Sequence, residues 1–183
     1  MTIQENFLQI ISEIPDTSDS KTEEIFNLTS PIKANGFLTK EIGMKILHWK
    51  SPRPLKHYDK NTNNDFEIIT RNALLQEDEK LKIHLLTALN GVNYPSASAI
   101  LMFCDPTKYP VIDIRVWKQL HKNQFVIENP KGQNFNLKQW AKYLEVIREI
   151  SQKLDITPRQ VEKRLFDYDK STQIGTLYFS SRK

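Results

Sequence analysis

The stretch 86-LTALNGVNYPSASAIL-101 decides the fold. It joins two apolar helical segments through a break of about four residues centred on Gly91. Helices can be joined this tightly only where the chain adopts a left-handed conformation, which glycine does at no steric cost. The second helix, expected over Tyr94–Cys104, then turns backbone N–H groups outward near Asn93 and Ser96, an arrangement that suits a phosphate. The sequence predicts a helical hairpin that can bind phosphate; an ordinary glycine turn between packed helices is the alternative.

The remainder of the chain is also dominated by helical spacing of apolar residues. Leu137, Trp140, Ala141 and Leu144 recur at intervals of three and four. Thr157, followed by a proline, is typical of a helix start. The pattern predicts an all-α fold of about eight helices.

A chain of 183 residues corresponds to one domain. We divide this single helical domain, 1–183, into an acidic helical segment 1–36, a hairpin core 64–122, C-terminal helices 136–168 and a polar tail 169–183. Ile174–Phe179, within that tail, could pair as a short strand.

Composition excludes several classes of protein. Mean hydropathy is −0.53, and no apolar run approaches the roughly 20 residues of a membrane helix. The single cysteine, Cys104, excludes an internal disulfide and a four-cysteine metal site, and no metal site formed by side chains is expected. The first residues lack the features of a signal peptide. We therefore expect a cytoplasmic protein with no membrane partner.

The charge is unevenly distributed. Lys and Arg number 26 and Asp and Glu 22, for a net charge of +4. Residues 1–24 carry a net −5, so the remainder carries +9, and 40–60 alone holds six basic residues against two acidic ones. A basic body favours a polyanionic partner, nucleic acid first, although a solvated basic surface gives the same composition.

A second informative segment is 109-YPVIDIRVWKQL-120, in which Asp113 can cap a helix. With the hairpin, it resembles the helix-hairpin-helix DNA glycosylase superfamily over about 35 residues. The family's Leu-Pro-Gly-Val-Gly core corresponds to Leu89–Asn93, and the Asp-x-x-x-Trp run of its oxoguanine branch to Asp113–Trp117. The chain departs from the family at Asn90 and Asn93, and Ile112 adds one residue before the aspartate.

The resemblance implies that Asp113 is the catalytic carboxylate. Cleavage of an N-glycosidic bond develops positive charge on the deoxyribose, which a carboxylate stabilises. Pro95 occupies the position of the family's strand-cleaving lysine, so a monofunctional enzyme is implied. No cofactor is expected beyond a monovalent cation that hairpin carbonyls could hold. A simple helix cap remains the alternative for Asp113. The DNA-binding residues implied at the hairpin and after Asp113 are Gly91, Val92, Asn93, Tyr94, Ser96, Ala97 and Arg115.

The segment 48-HWKSPRPLKHYDK-60 interleaves basic and aromatic residues, as nucleic-acid grooves do. We predict Lys50 and Arg53 as phosphate contacts; basic residues favoured at a helix C-terminus are the alternative. Trp49 is expected in the core, as is His84 on the apolar face of the first hairpin helix.

These observations predict a protein that binds double-stranded DNA, a monofunctional glycosylase acting on a damaged or modified base. The alternatives are a non-catalytic helix-hairpin-helix DNA-binding module and a scaffold protein that binds no nucleic acid. Salt-dependent DNA binding would separate the scaffold from the other two, and base release would separate the enzyme from the module.

Overall fold

The computed structural model describes residues 1–30 and 32–174, and within them the fold is all-α with no strand. Eleven helical segments are described, nine of them at least eight residues long, where about eight helices were expected. Their bounds are α1 Ile3–Glu13, α2 Ser20–Thr29, α3 Ile32–Asn35, α4 Lys40–Lys50, α5 Leu55–Tyr58, α6 Asn63–Leu75, α7 Glu79–Leu86, α8 Tyr94–Cys104, α9 Ile114–Lys122, α10 Leu137–Leu154 and α11 Pro158–Thr172.

Side-chain caps fix where several helices begin. The Thr39 hydroxyl accepts a hydrogen bond from the N–H of Ile42, and Asp113 caps α9 in the same manner. Thr157 caps α11, and Pro158 occupies its first position, where no N–H is needed. The helix starts predicted at Asp113 and Thr157 are confirmed, because capping depends only on residues within one turn.

Helix α8 lies at the centre of the fold. Its residues from Ser96 to Phe103 are all buried, and it packs against α2, α4 and α7. Helix α11 packs against α1, α9 and α10. Buried apolar side chains from Phe7 in α1 to Leu165 in α11 form one hydrophobic cluster, with Trp117 and Trp140 among the largest. The segments that carry the candidate site are therefore anchored in the core.

The C-terminal prediction requires correction. Helix α11 continues to Thr172, so the polar tail does not begin at residue 169. Asp169 is only 5% exposed in the contact of α11 with α9, where it accepts hydrogen bonds from Arg115 and Gln119. The strand predicted at Ile174–Phe179 lies, apart from Ile174, outside the described residues. Across the described part of the chain, none of the helices has the length and apolar character needed to cross a membrane.

Candidate functional site

The hairpin turn lies between α7 and α8 and has the predicted conformation. Gly91 has a φ of +79°, in the left-handed region. A Cβ at this position would lie 2.7 Å from the Cβ of His57 and 3.1 Å from the Tyr58 ring. The turn therefore requires glycine both for its backbone angle and for close contact with α5.

A buried asparagine that the sequence interpretation missed connects the hairpin to α5. Asn61 is 2% exposed, and its amide nitrogen donates to the carbonyls of Tyr58 (2.8 Å) and Asn90 (3.1 Å). Its amide oxygen accepts from the N–H of Asn90 at 2.7 Å. The Asn90 carbonyl is thus already used, and the Leu89 carbonyl accepts from the N–H of Val92, so two carbonyls of the proposed cation site have internal partners.

The start of α8 is more enclosed than predicted. The Asn93 side chain accepts from the N–H of Ser96 at 3.2 Å, and the Ser96 hydroxyl lies 3.1 Å from the Tyr58 hydroxyl. Ala97 is fully buried, and its N–H donates to the Asn93 carbonyl. Val92 is 7% exposed and packs in the core. Burial and internal hydrogen bonds thus occupy Ser96, Ala97 and Val92 in this structure, and their predicted contacts with DNA stay predictions.

Gly91 and Asn93 are exposed at the hairpin, and Tyr94 is half-buried. Burial raises the pKa of Tyr94 above its ordinary value, and its hydroxyl lies 3.1 Å from Nδ1 of His84. His84 is exposed and is not the core histidine that the apolar spacing predicted. The hairpin surface available to a ligand thus includes Asn90, Gly91, Asn93 and the edge of Tyr94.

Asp113 is held by two hydrogen bonds from different elements. One carboxylate oxygen accepts from the N–H of Arg115 at 2.9 Å, which is the helix cap. The other accepts from Nζ of Lys50 at 2.5 Å. The two side chains are only 13% (Lys50) and 17% (Asp113) exposed, so this ion pair is largely removed from water. It joins the end of α4 to the start of α9, 63 residues apart in the chain.

A cavity of about 440 Å³ opens beside this ion pair. Lys50 and Asp113 line it, together with Asn93 and Ser96 at the start of α8 and Arg53 from the segment before α5. Three segments that the sequence interpretation selected separately therefore meet at one cavity, which we call the Asp113 cavity. Ile112, fully buried, provides an apolar part of its lining.

The role predicted for Lys50 changes with this arrangement. Its ammonium contacts the Asp113 carboxylate rather than facing outward, so it is not a free phosphate contact. Arg53 is exposed, as are Lys56 and His57 in α5, which touches Gly91. We call these three side chains the basic turn. Arg53 and Lys56 therefore place two positive charges on the segment that contacts the hairpin at Gly91.

Arg115 also differs from the prediction. Its guanidinium donates to Asp169 at 2.9 Å and to Gln173, and lies over the Phe166 ring at 5.6 Å. These contacts connect α9 to α11. Arg115 is not among the residues that line the Asp113 cavity. Arg115 thus forms a contact between helices, and its contact with DNA stays a prediction.

A second buried ion pair stands near Asp113. Glu162 in α11 is 3% exposed and pairs with Arg159. Burial raises the pKa of Glu162 despite that arginine, and the charges of Lys50 and Asp113 also act on it. The sequence does contain a sign of this pair, since Glu162 lies between the buried Val161 and Leu165 of an amphipathic helix. The ion pair of Asp113 thus belongs to a larger charged cluster.

A larger groove, about 610 Å³, lies elsewhere, between α7 and α10. Its lining includes Glu77, Asp78, Glu79, Glu145 and Glu149 against Lys80 and Arg148. Such acidity repels a polyanion, so this groove does not compete as a DNA site. Nowhere in residues 1–30 and 32–174 do three His, Cys, Asp or Glu side chains come together in a way that could hold a metal ion. Comparison with family models, curated proteins and solved structures finds no match to this chain.

Proposed function

We propose that the protein binds double-stranded DNA and hydrolyses the N-glycosidic bond of a damaged or modified base without cleaving the strand. The observation that carries this proposal is the convergence on one cavity of Asp113, the start of α8 and Arg53. The basic turn beside Gly91 offers charge for phosphates. A base displaced from the duplex could enter the cavity while the backbone rests on the hairpin and this turn.

Asp113 would act on the sugar of the displaced nucleotide. The C1′–N bond breaks, its electron pair leaves with the base, which takes up a proton from solvent, and positive charge develops on the deoxyribose. A carboxylate has about four acceptor positions, and two are used here, so Asp113 can still face the sugar. Water then adds to C1′ and gives its proton to the carboxylate.

Lys50 would position the carboxylate rather than attack the sugar. Its nitrogen donates to Asp113 in the ion pair and is therefore engaged, and Pro95 has no amine. Strand cleavage through a covalent amine–sugar intermediate is accordingly not part of the proposal. Covalent trapping of the protein on damaged DNA by sodium borohydride would contradict this assignment.

A non-catalytic DNA-binding module is the second candidate. It is favoured by the fact that both oxygens of Asp113 already have partners in the structure, as in a purely structural residue. In such a module the hairpin and the basic turn would bind duplex DNA, and the cavity would perform no chemistry.

Two measurements on the full chain test the proposal. The first is the affinity for a fluorescent duplex over a series of salt concentrations. Replacing Arg53 and Lys56 by alanine should weaken binding to all sequences and reduce the slope of log K against log salt by about one to two. Lys138 and Lys142, exposed on α10, provide the control, since their replacement removes equal charge from another surface. Absence of duplex binding by the wild type would contradict both DNA-binding candidates and favour the scaffold protein that binds no nucleic acid.

The second measurement is single-turnover release of free base from duplexes carrying different modified bases. Asp113→Asn should reduce release by about 100-fold or more, the usual consequence of removing a group that stabilises transition-state charge. The reaction is measured well below the melting temperature of the variant. Duplex binding with no base release by the wild type from any substrate would favour the non-catalytic module.

A further inference from the structure

The loop between α9 and α10 forms one wall of the Asp113 cavity. Four consecutive residues, Gly132, Gln133, Asn134 and Phe135, line it. The wall carries no charge, whereas Lys50 and Arg53 line the same cavity. A neutral wall with two amides is suited to an uncharged partner with hydrogen-bonding edges rather than to a phosphate.

This wall is held rigidly. The Trp117 indole N–H donates to the carbonyl of Asn129 at 2.9 Å, and the Asn129 amide donates to the carbonyl of Gln133 at 2.8 Å. The Phe135 ring packs edge-on against Trp117 with centroids 5.2 Å apart. At Gly132, with a φ of +63°, a Cβ would lie 3.2 Å from the Ile114 carbonyl oxygen. The wall is thus fixed against α9, the helix that Asp113 caps.

The two amides on the wall are available to a ligand. The side chains of Gln133 and Asn134 are exposed and have no hydrogen-bond partner within the described residues. Asn134 has a φ of +52°, a left-handed conformation that asparagine tolerates better than most residues. Each amide offers donors and an acceptor side by side, the pattern that complements the edge of a nucleobase.

We propose that Gln133 and Asn134 read the hydrogen-bonding edge of a nucleobase displaced from the duplex into the Asp113 cavity. This inference rests on the proposed DNA binding and adds the chemical class of group that enters the cavity: an uncharged base with adjacent donor and acceptor. A base lacking such an edge would lose these contacts and leave the amides unpaired. The choice of base then depends on Gln133 and Asn134 in the wall, whereas the attraction to the DNA backbone depends on the basic turn.

The test uses three duplexes: one fully paired, one with a single bulged adenine and one with a bulged tetrahydrofuran residue, which has no base. Bulged nucleotides are chosen because they already lack a pairing partner and cost less to displace. Wild-type protein should bind the bulged adenine at least about fivefold more tightly than the tetrahydrofuran bulge, the lower end of discrimination by a good amide–base contact. Gln133→Leu combined with Asn134→Gly should remove this preference without changing affinity for the paired duplex.

Glycine at 134 preserves the left-handed backbone, and Gln152→Leu, an exposed amide on α10, is the matched control. Thermal unfolding verifies that the variants are folded. Wild-type protein that binds paired duplex without the preference, or variants that retain it, would overturn this inference alone. Wild-type protein that binds no duplex would overturn both this inference and the proposed function.

Discussion

Replacing Asp113 by asparagine should destabilise the protein substantially. From the sequence alone the change would be expected to be nearly neutral, because Asn caps a helix about as well as Asp. The ion pair with Lys50 alters that expectation, since both side chains are largely buried. Removing one partner leaves an uncompensated ammonium, which costs about 3–5 kcal/mol for a buried pair. Residual exposure favours the lower end, about 3 kcal/mol, or about 6–12 °C in melting temperature.

Urea unfolding followed by circular dichroism measures this change. The double variant Asp113→Asn, Lys50→Met removes both charges and should recover most of the lost stability. Glu67→Gln in the exposed Glu67–Arg71 pair is the control and should change stability by no more than about 1 kcal/mol. A free energy of unfolding for Asp113→Asn within about 0.5 kcal/mol of wild type would refute the argument from a desolvated ion pair. A double variant no more stable than the single variant would refute it as well.

Three further outcomes are expected. Gly91→Ala should lower the urea midpoint by more than Gly36→Ala. Both glycines have a positive φ, but only at Gly91 would a Cβ collide, 2.7 Å from the Cβ of His57. Equal shifts of the two midpoints would contradict the collision at Gly91. The pKa of Glu162 is raised in the folded state, so the folded protein holds a proton that the unfolded chain has already lost. Its free energy of unfolding should therefore fall as pH rises from about 4.5 through that pKa. Glu162→Gln should flatten this decline, and an unchanged pH dependence in the variant would contradict the raised pKa. Cys104 is half-buried, and desolvation raises the pKa of its thiol to about 12. Its reaction with a thiol reagent at pH 8 should therefore be far slower in native than in urea-unfolded protein, and similar rates would contradict the raised pKa.

Several features of the molecule could be predicted from local sequence. The caps at Thr39, Asp113 and Thr157 depend on hydrogen bonds within one helical turn, and the predicted bounds of α8 agree with the structure. The left-handed turn at Gly91 was likewise predictable, because φ is a property of the residue and its immediate neighbours. The presence of helices and the residues at which they begin are therefore determined largely by short stretches of the chain.

The candidate site was only partly predictable, because its contacts join residues that are far apart in the chain. Asp113 was identified from its helix start, but its partner Lys50 lies 63 residues away, and no local pattern states which cation will face a carboxylate. The same holds for Arg115, which looked like a surface cation and instead pairs with Asp169 across 54 residues.

Local sequence determined that this chain is helical, where its hairpin turns and which carboxylate begins α9. Tertiary structure alone decided that Lys50 neutralises that carboxylate, that Asn61 locks the hairpin and that Gln133 and Asn134 face the same cavity. Helix formation and capping are satisfied by bonds between near neighbours. The charge balance and lining of a cavity depend on which distant segments pack together, and that is settled only when the whole core forms.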